Sequence, residues 1–168
     1  MAGSLIQIAT STVTSAVSSV TLTGIDSDNV YMVTINNWAS VDDTVVQRLR
    51  ITKSGTAETA DYDSAYKGLY SDSGFGNGAL NNNTDFEFQF TGNATGETCS
   101  AILYLYNFNS SSLYSFAQYE SVGVNQATNS RGVAGGMTHK VASSSDGLNF
   151  RFHSGNIASG TFTLYKVV

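Results

Sequence analysis

Residues 85–91 read DFEFQFT, with Phe86, Phe88 and Phe90 on one side of an alternating run and polar groups on the other. Period-two alternation sends successive side chains to opposite faces of a strand, so this run belongs to a sheet with one wet side. Residues 20–23 (VTLT), 148–152 (LNFRF) and 161–164 (TFTL) alternate in the same way. Turn chemistry separates them at 26–29 (DSDN), 92–96 (GNATG) and 145–147 (SDG), where the Asp-Gly pair before Leu148 is a hairpin signal. Two runs are apolar on both sides. In 101–108 (AILYLYNF), Leu103 and Leu105 share one face while Ile102, Tyr104, Tyr106 and Phe108 share the other. Residues 30–35 (VYMVTI) behave similarly. Such strands lie mid-sheet, one face in the core and the other covered by a loop or a neighbouring subunit.

Helical signals are scarce. Residues 40–49 (SVDDTVVQRL) carry an N-cap candidate, but their β-branched content favours a strand. The absence of proline suits a sheet-rich chain, whose turns then rely on its 16 glycines and on Asn and Asp. Residues 53–83 form the longest stretch without a clear strand and read as a loop that holds Tyr62, Tyr66, Tyr70 and Phe75. The 168 residues fit a single domain, with residues 1–17 as an extended N-terminal arm. About eight strands plus short N-terminal ones predict an all-β, antiparallel β-sandwich of jelly-roll type.

Composition excludes several functions. Lys and Arg total 8 against 13 Asp and Glu, a formal net charge of −5, so phosphate backbones and anionic membranes lack their main attraction. Only 12% of residues are charged, about half the usual quarter. A weakly repulsive Ser/Thr/Asn/Gly surface suits a protein packed against neighbours. The first twenty residues lack a positive n-region and a sustained apolar stretch, which predicts cytoplasmic synthesis without a secretory signal. Cys99 is the one cysteine and opens an apolar run, as a buried, inert thiol would.

No motif for catalysis or metal binding emerges. His139 and His153 read as surface residues outside any nucleophile-elbow context. Asp85 and Glu87 read as the exposed side of an alternating strand rather than a glycosidase pair. An EF-hand counted from Asp26 would need a glutamate where Asn37 stands. Asp61, Asp63 and Asp72 could at most furnish a loop calcium. The string GFGNG at 74–78 lacks dinucleotide spacing and reads as a loop tip. No cofactor is expected.

Both ends of the chain carry further patterns. SLIQ at 4–7 precedes a Ser/Thr-rich stretch and VTLTGIDS at 20–27; then comes VYMVTINN at 30–37. The C-terminal run 150–165 reads FRFHSGNIASGTFTLY, and residues 154–156 offer a left-handed turn that would join a closing hairpin. Together these ends resemble small β-sandwich virion proteins of tailed phages, notably marine and cyanobacterial ones. Lys166 stands where that group usually has glycine, and the resemblance is loose through the middle. It implies a non-enzymatic virion protein made in the host cytoplasm. The expected role is capsid decoration (cement) at the capsid surface, as a homotrimer on the major capsid protein or other virion proteins. Tyr104, Tyr106 and Phe108 would be buried between subunits, and Trp38, Tyr62, Tyr66, Tyr70 and Phe75 are split between capping the core and contacting a partner. The alternative is a tail-fibre or head-fibre adhesin module that binds carbohydrate, which calls for a rigid aromatic platform open to solvent.

Overall fold

The alternating runs pair into two antiparallel sheets in the computed structural model, which describes residues 3–168. In chain order the strands are β1 (Leu5–Val13), β2 (Ser19–Thr23), β3 (Tyr31–Ser40), β4 (Val45–Lys53), β5 (Thr56–Ala57), β6 (Tyr62–Tyr70), β7 (Gly74–Asn83), β8 (Phe86–Thr91), β9 (Cys99–Tyr106), β10 (Ser115–Val124), β11 (Ser130–His139), β12 (Gly147–Phe152) and β13 (Ile157–Val167). The larger sheet has the order β1-β13-β3-β9-β10-β11-β6-β7. In the smaller, β12 pairs with β2 and β4, and β4 also pairs with β5 and β8. From β2 onward the chain crosses repeatedly between sheets: β2 small, β3 large, β4 small, β6 and β7 large, β8 small, β9 to β11 large, β12 small, β13 large. That crossing pattern is the jelly-roll-like feature of the sandwich.

The core lies between the sheets. Tyr31, Val33 and Ile35 of β3, Leu103 and Leu105 of β9, and Phe162 and Leu164 of β13 face Leu49 and Ile51 of β4 and Leu148, Phe150 and Phe152 of β12. Trp38 sits at the centre, its ring 5.3–6.0 Å from those of Phe88, Phe150, Phe152 and Phe162. Cys99 is buried, as its apolar context suggests.

Several expectations are overturned, each for a local reason. Residues 53–83 are not a loop: β6 pairs with β11 and β7 pairs with β6. Glycine in β7 hid the alternation. Residues 1–17, expected as an arm, contribute β1, which pairs with β13 at the sheet edge. The Asp-Gly pair makes no hairpin, because β12 starts at Gly147 in the opposite sheet from β11. Likewise β12 and β13 are not a hairpin. Gly155 does take a left-handed φ of 75°, but the turn carries the chain from one sheet to the other. Phe90 leaves the face shared by Phe86 and Phe88 and is 55% exposed. Between the Arg48–Glu87 and Val46–Phe90 pairs β8 has one more residue than β4, and this bulge turns Phe90 outward.

His139 is buried rather than on the surface, its ring 4.8 Å from that of Tyr62. Burial, reinforced by the charge of Lys53, holds its pKa below the ordinary imidazole value, against opposing contributions from Glu58, Asp61 and the Ala60 carbonyl. The folded protein therefore keeps His139 neutral at pH values where the unfolded chain takes up a proton. Stability should be flat above about pH 7 and fall as pH drops below about 6.5, by at most about 1.4 kcal/mol per unit. Urea titrations of the native protein and His139→Gln between pH 8 and 5 check this; equal slopes would refute it.

Candidate functional site

The larger sheet is wider than the smaller, so β6 and β7 extend past β8. Between them opens a cleft of about 360 Å³, within the range of small-molecule sites. Tyr66 and Tyr70 of β6 form one wall, Glu87 and Phe90 of β8 with Val46 of β4 the other, and Gln126 and Arg131 lie at its end.

The tyrosine wall is built by cross-strand register. One row of the larger sheet runs Tyr119 (β10), Gly135 (β11), Tyr66 (β6), Gly78 (β7), a tyrosine–glycine alternation across four strands. Each ring lies over the glycine of the next strand. A Cβ at Gly135 would run into the Tyr119 ring, and one at Gly78 into the Tyr66 ring. The Tyr70 ring covers Gly68 and Gly76 in the same way. Glycine thus lets each ring lie flat against the backbone, and an edge strand that looks weak becomes a seat for aromatic faces. Tyr66 and Tyr70 are half-buried; Tyr119 is fully buried and its hydroxyl has no hydrogen-bond partner among the described residues. Burial pushes the hydroxyls of Tyr66 and Tyr119 upward in pKa, so both stay protonated.

The charges at the cleft are internally matched. Glu87 pairs with Arg48. Arg131 lies 3.0 Å from Asp72 and places its guanidinium 4.3 Å from the centre of the Tyr70 ring, stiffening that side chain. Asn125 is buried and its Oδ1 accepts from the Ala127 and Asn129 amides, so the turn that presents Gln126 is fixed.

Of the aromatic residues expected to cap the core or contact a partner, Tyr66 and Tyr70 alone meet at this cleft. Trp38 and Tyr62 are in the core instead. The Tyr62 hydroxyl accepts from the Ile51 amide and donates to the Glu58 carbonyl, and burial raises its pKa. Phe75 lies on the opposite side of the sheet, 74% exposed, with the Lys67 ammonium 5.3 Å from its ring. Tyr104 and Tyr106 do line the outer face of β9, but Phe108 does not. Asn107 takes a left-handed φ of 61°, which ends the alternation and turns Phe108 into the core. Asp63 and Asp72 flank opposite ends of β6, engaged by Lys140 and Arg131, so no calcium loop forms from them. Phe90 and Glu87, which in the sequence read only as the two sides of an alternating strand, line the cleft as well, and Arg131 joins them with no sequence signal of its own. The glycine spacing at 74–78 was the available signal, legible only with the register known.

The outer face of the larger sheet is a second surface. Ile102 and Tyr104 of β9 and Phe116 and Val122 of β10 are each 41–58% exposed, and they surround Gln118 and Glu120. Leu69 and Phe75 pair at the far edge. A broad depression of about 580 Å³ lies among Thr34, Asn36, Ile102, Glu120, Val122 and Tyr165.

No protein-family model, no curated protein and no solved structure matches this chain. What the chain does must be argued from these two surfaces.

Proposed function

We propose that this chain is a non-enzymatic structural protein of a tailed-phage particle: a capsid decoration protein that binds the assembled shell as a homotrimer. What carries the reading is the outer face of the larger sheet. Scattered exposed apolar residues are ordinary, but four large ones on two adjacent central strands are not, and grouping of this kind marks interaction surfaces. Low charge lowers the cost of packing that face against a neighbouring copy. The two end patterns also form one unit in space, since β1 pairs with β13 and β2 with β12. The resemblance to phage virion proteins therefore rests on one contiguous part of the sandwich. The histidines and carboxylates lend no support to catalysis: His139 is core, and Asp85 and Glu87 are held by arginines.

Electron cryo-microscopy of the particle should place many copies at capsid symmetry axes with Ile102 and Tyr104 covered. In solution, Ile102→Lys with Val122→Lys, which set their charges beside Glu120, should abolish self-association while changing stability by no more than about 0.5 kcal/mol per site, because both side chains are already exposed. A chain absent from the capsid, or density confined to fibre tips, would sink the decoration role. Density at fibre tips would promote the adhesin alternative, which one feature independently favours: the aromatic cleft.

A further inference from the structure

We infer that the cleft between β6 and β8 is a carbohydrate-binding site that takes a neutral hexose unit of a polysaccharide. The inference is independent of the assembly role, because the cleft opens on the inner side of the larger sheet and the proposed oligomer face is its outer side. Three observations support it.

The first is the form of the wall. Tyr66 lies on its glycine seat at Gly78 and lines the cleft, leaving its other ring face to a ligand, while the Tyr70 ring, held between Gly68 and Gly76 on one side and the Arg131 guanidinium on the other, contributes its edge and hydroxyl. A pyranose ring offers a matching flat patch of C–H groups, and stacking on an aromatic face is tolerant of chain direction. The second is charge. Glu87 is answered by Arg48 and Arg131 by Asp72, so the cleft demands neither a cation nor an anion. Both keep hydrogen-bonding capacity beyond those pairs, as does the exposed Gln126, and hydroxyl groups can use donors and acceptors alike. The third is rigidity. Arg131 stacks on Tyr70, Asp72 holds Arg131, and Asn129 Nδ2 donates to Asp72 at 3.0 Å. A platform fixed before binding loses little freedom when the sugar arrives.

The test is a glycan array of neutral and acidic oligosaccharides, probed with the full chain and with three variants. Tyr66→Ala and Tyr70→Ala delete a ring each. Gly78→Val displaces the Tyr66 ring without removing it, and its thermal midpoint reports whether the fold survives. The native chain should retain neutral hexose oligosaccharides. All three variants should lose about tenfold or more in affinity by titration calorimetry with the retained oligosaccharide. Tyr114→Ala, an exposed loop residue away from the cleft, should bind as the native chain does. An array with no bound neutral glycan overturns the inference, as does binding that survives in Tyr66→Ala and Tyr70→Ala. Retention of acidic glycans alone, abolished by salt, overturns the neutral class. The capsid role is tested separately, by the outer-face variants and the particle density.

Discussion

Trp38→Ala should lower folding stability by about 3–5 kcal/mol, the largest single-residue loss in this protein. Trp38 is fully buried, and four phenylalanine rings from β8, β12 and β13 surround it. Removing the indole leaves a cavity at a place where both sheets meet through aromatic edges. Those rings are fixed by their own strands and cannot collapse into the gap. Against a typical domain stability of about 5–15 kcal/mol, a loss of that size leaves a marginal fold. Urea unfolding followed by far-ultraviolet circular dichroism gives the number. Because Trp38 is the one tryptophan, native fluorescence should be blue-shifted and should move to the red in the same transition as the dichroism. A loss under about 2 kcal/mol would mean that the centre of the sandwich repacks, contrary to a close-packed interior.

Asp85→Asn should cost about 3 kcal/mol and lower the thermal midpoint by roughly 6–12 °C, although the side chain keeps its size. The Asp85 side chain is fully buried just before β8, on the outer side of the smaller sheet, and three arginines converge on it. Arg48 Nη1 lies 3.0 Å from Oδ1 and donates to Oδ2 at 3.3 Å; Arg50 Nη2 lies 3.3 Å and Arg151 Nη1 3.6 Å from Oδ2. With Asp85 neutral, Glu87 alone remains to balance three guanidinium groups. The loss falls at the low end of that for a broken buried pair because the arginines keep partial contact with water. Two further measurements separate charge from packing. High salt should narrow the gap between native and variant, and Arg151→Gln in the Asp85→Asn background should recover part of it. A thermal midpoint within about 2 °C of the native value would show that water, not Asp85, neutralises the arginines.

The sequence by itself determined that this chain is a two-sheet antiparallel sandwich. Alternation is a local property: Leu22, Phe86, Phe88, Leu103, Phe150 and Phe162 each carry their inward direction in their immediate neighbours, and all are buried. What alternation cannot supply is its own interruptions. Asn37, with a left-handed φ of 53°, adds a residue to β3, so Asn36 and Asn37 both face out and Trp38 turns into the core. Asn107, just past the end of β9, likewise turns Phe108 inward, and the bulge in β8 does the reverse for Phe90. Asn tolerates the left-handed region but does not require it, so neither asparagine announces the interruption in advance.

The cleft lay still further from view. Its wall depends on residues 66, 78, 119 and 135 falling in one row, a long-range register that the tertiary structure alone decides. GFGNG looks like a flexible tip until β6 lies beside it, and then Gly76 and Gly78 become the space that the Tyr70 and Tyr66 rings occupy. Asp85 and His139 show the same division. Their types suggest surface, but three arginines converge on one and the sandwich interior encloses the other. Burial of a polar side chain is set by what the rest of the chain brings to it, and no local pattern carries that information.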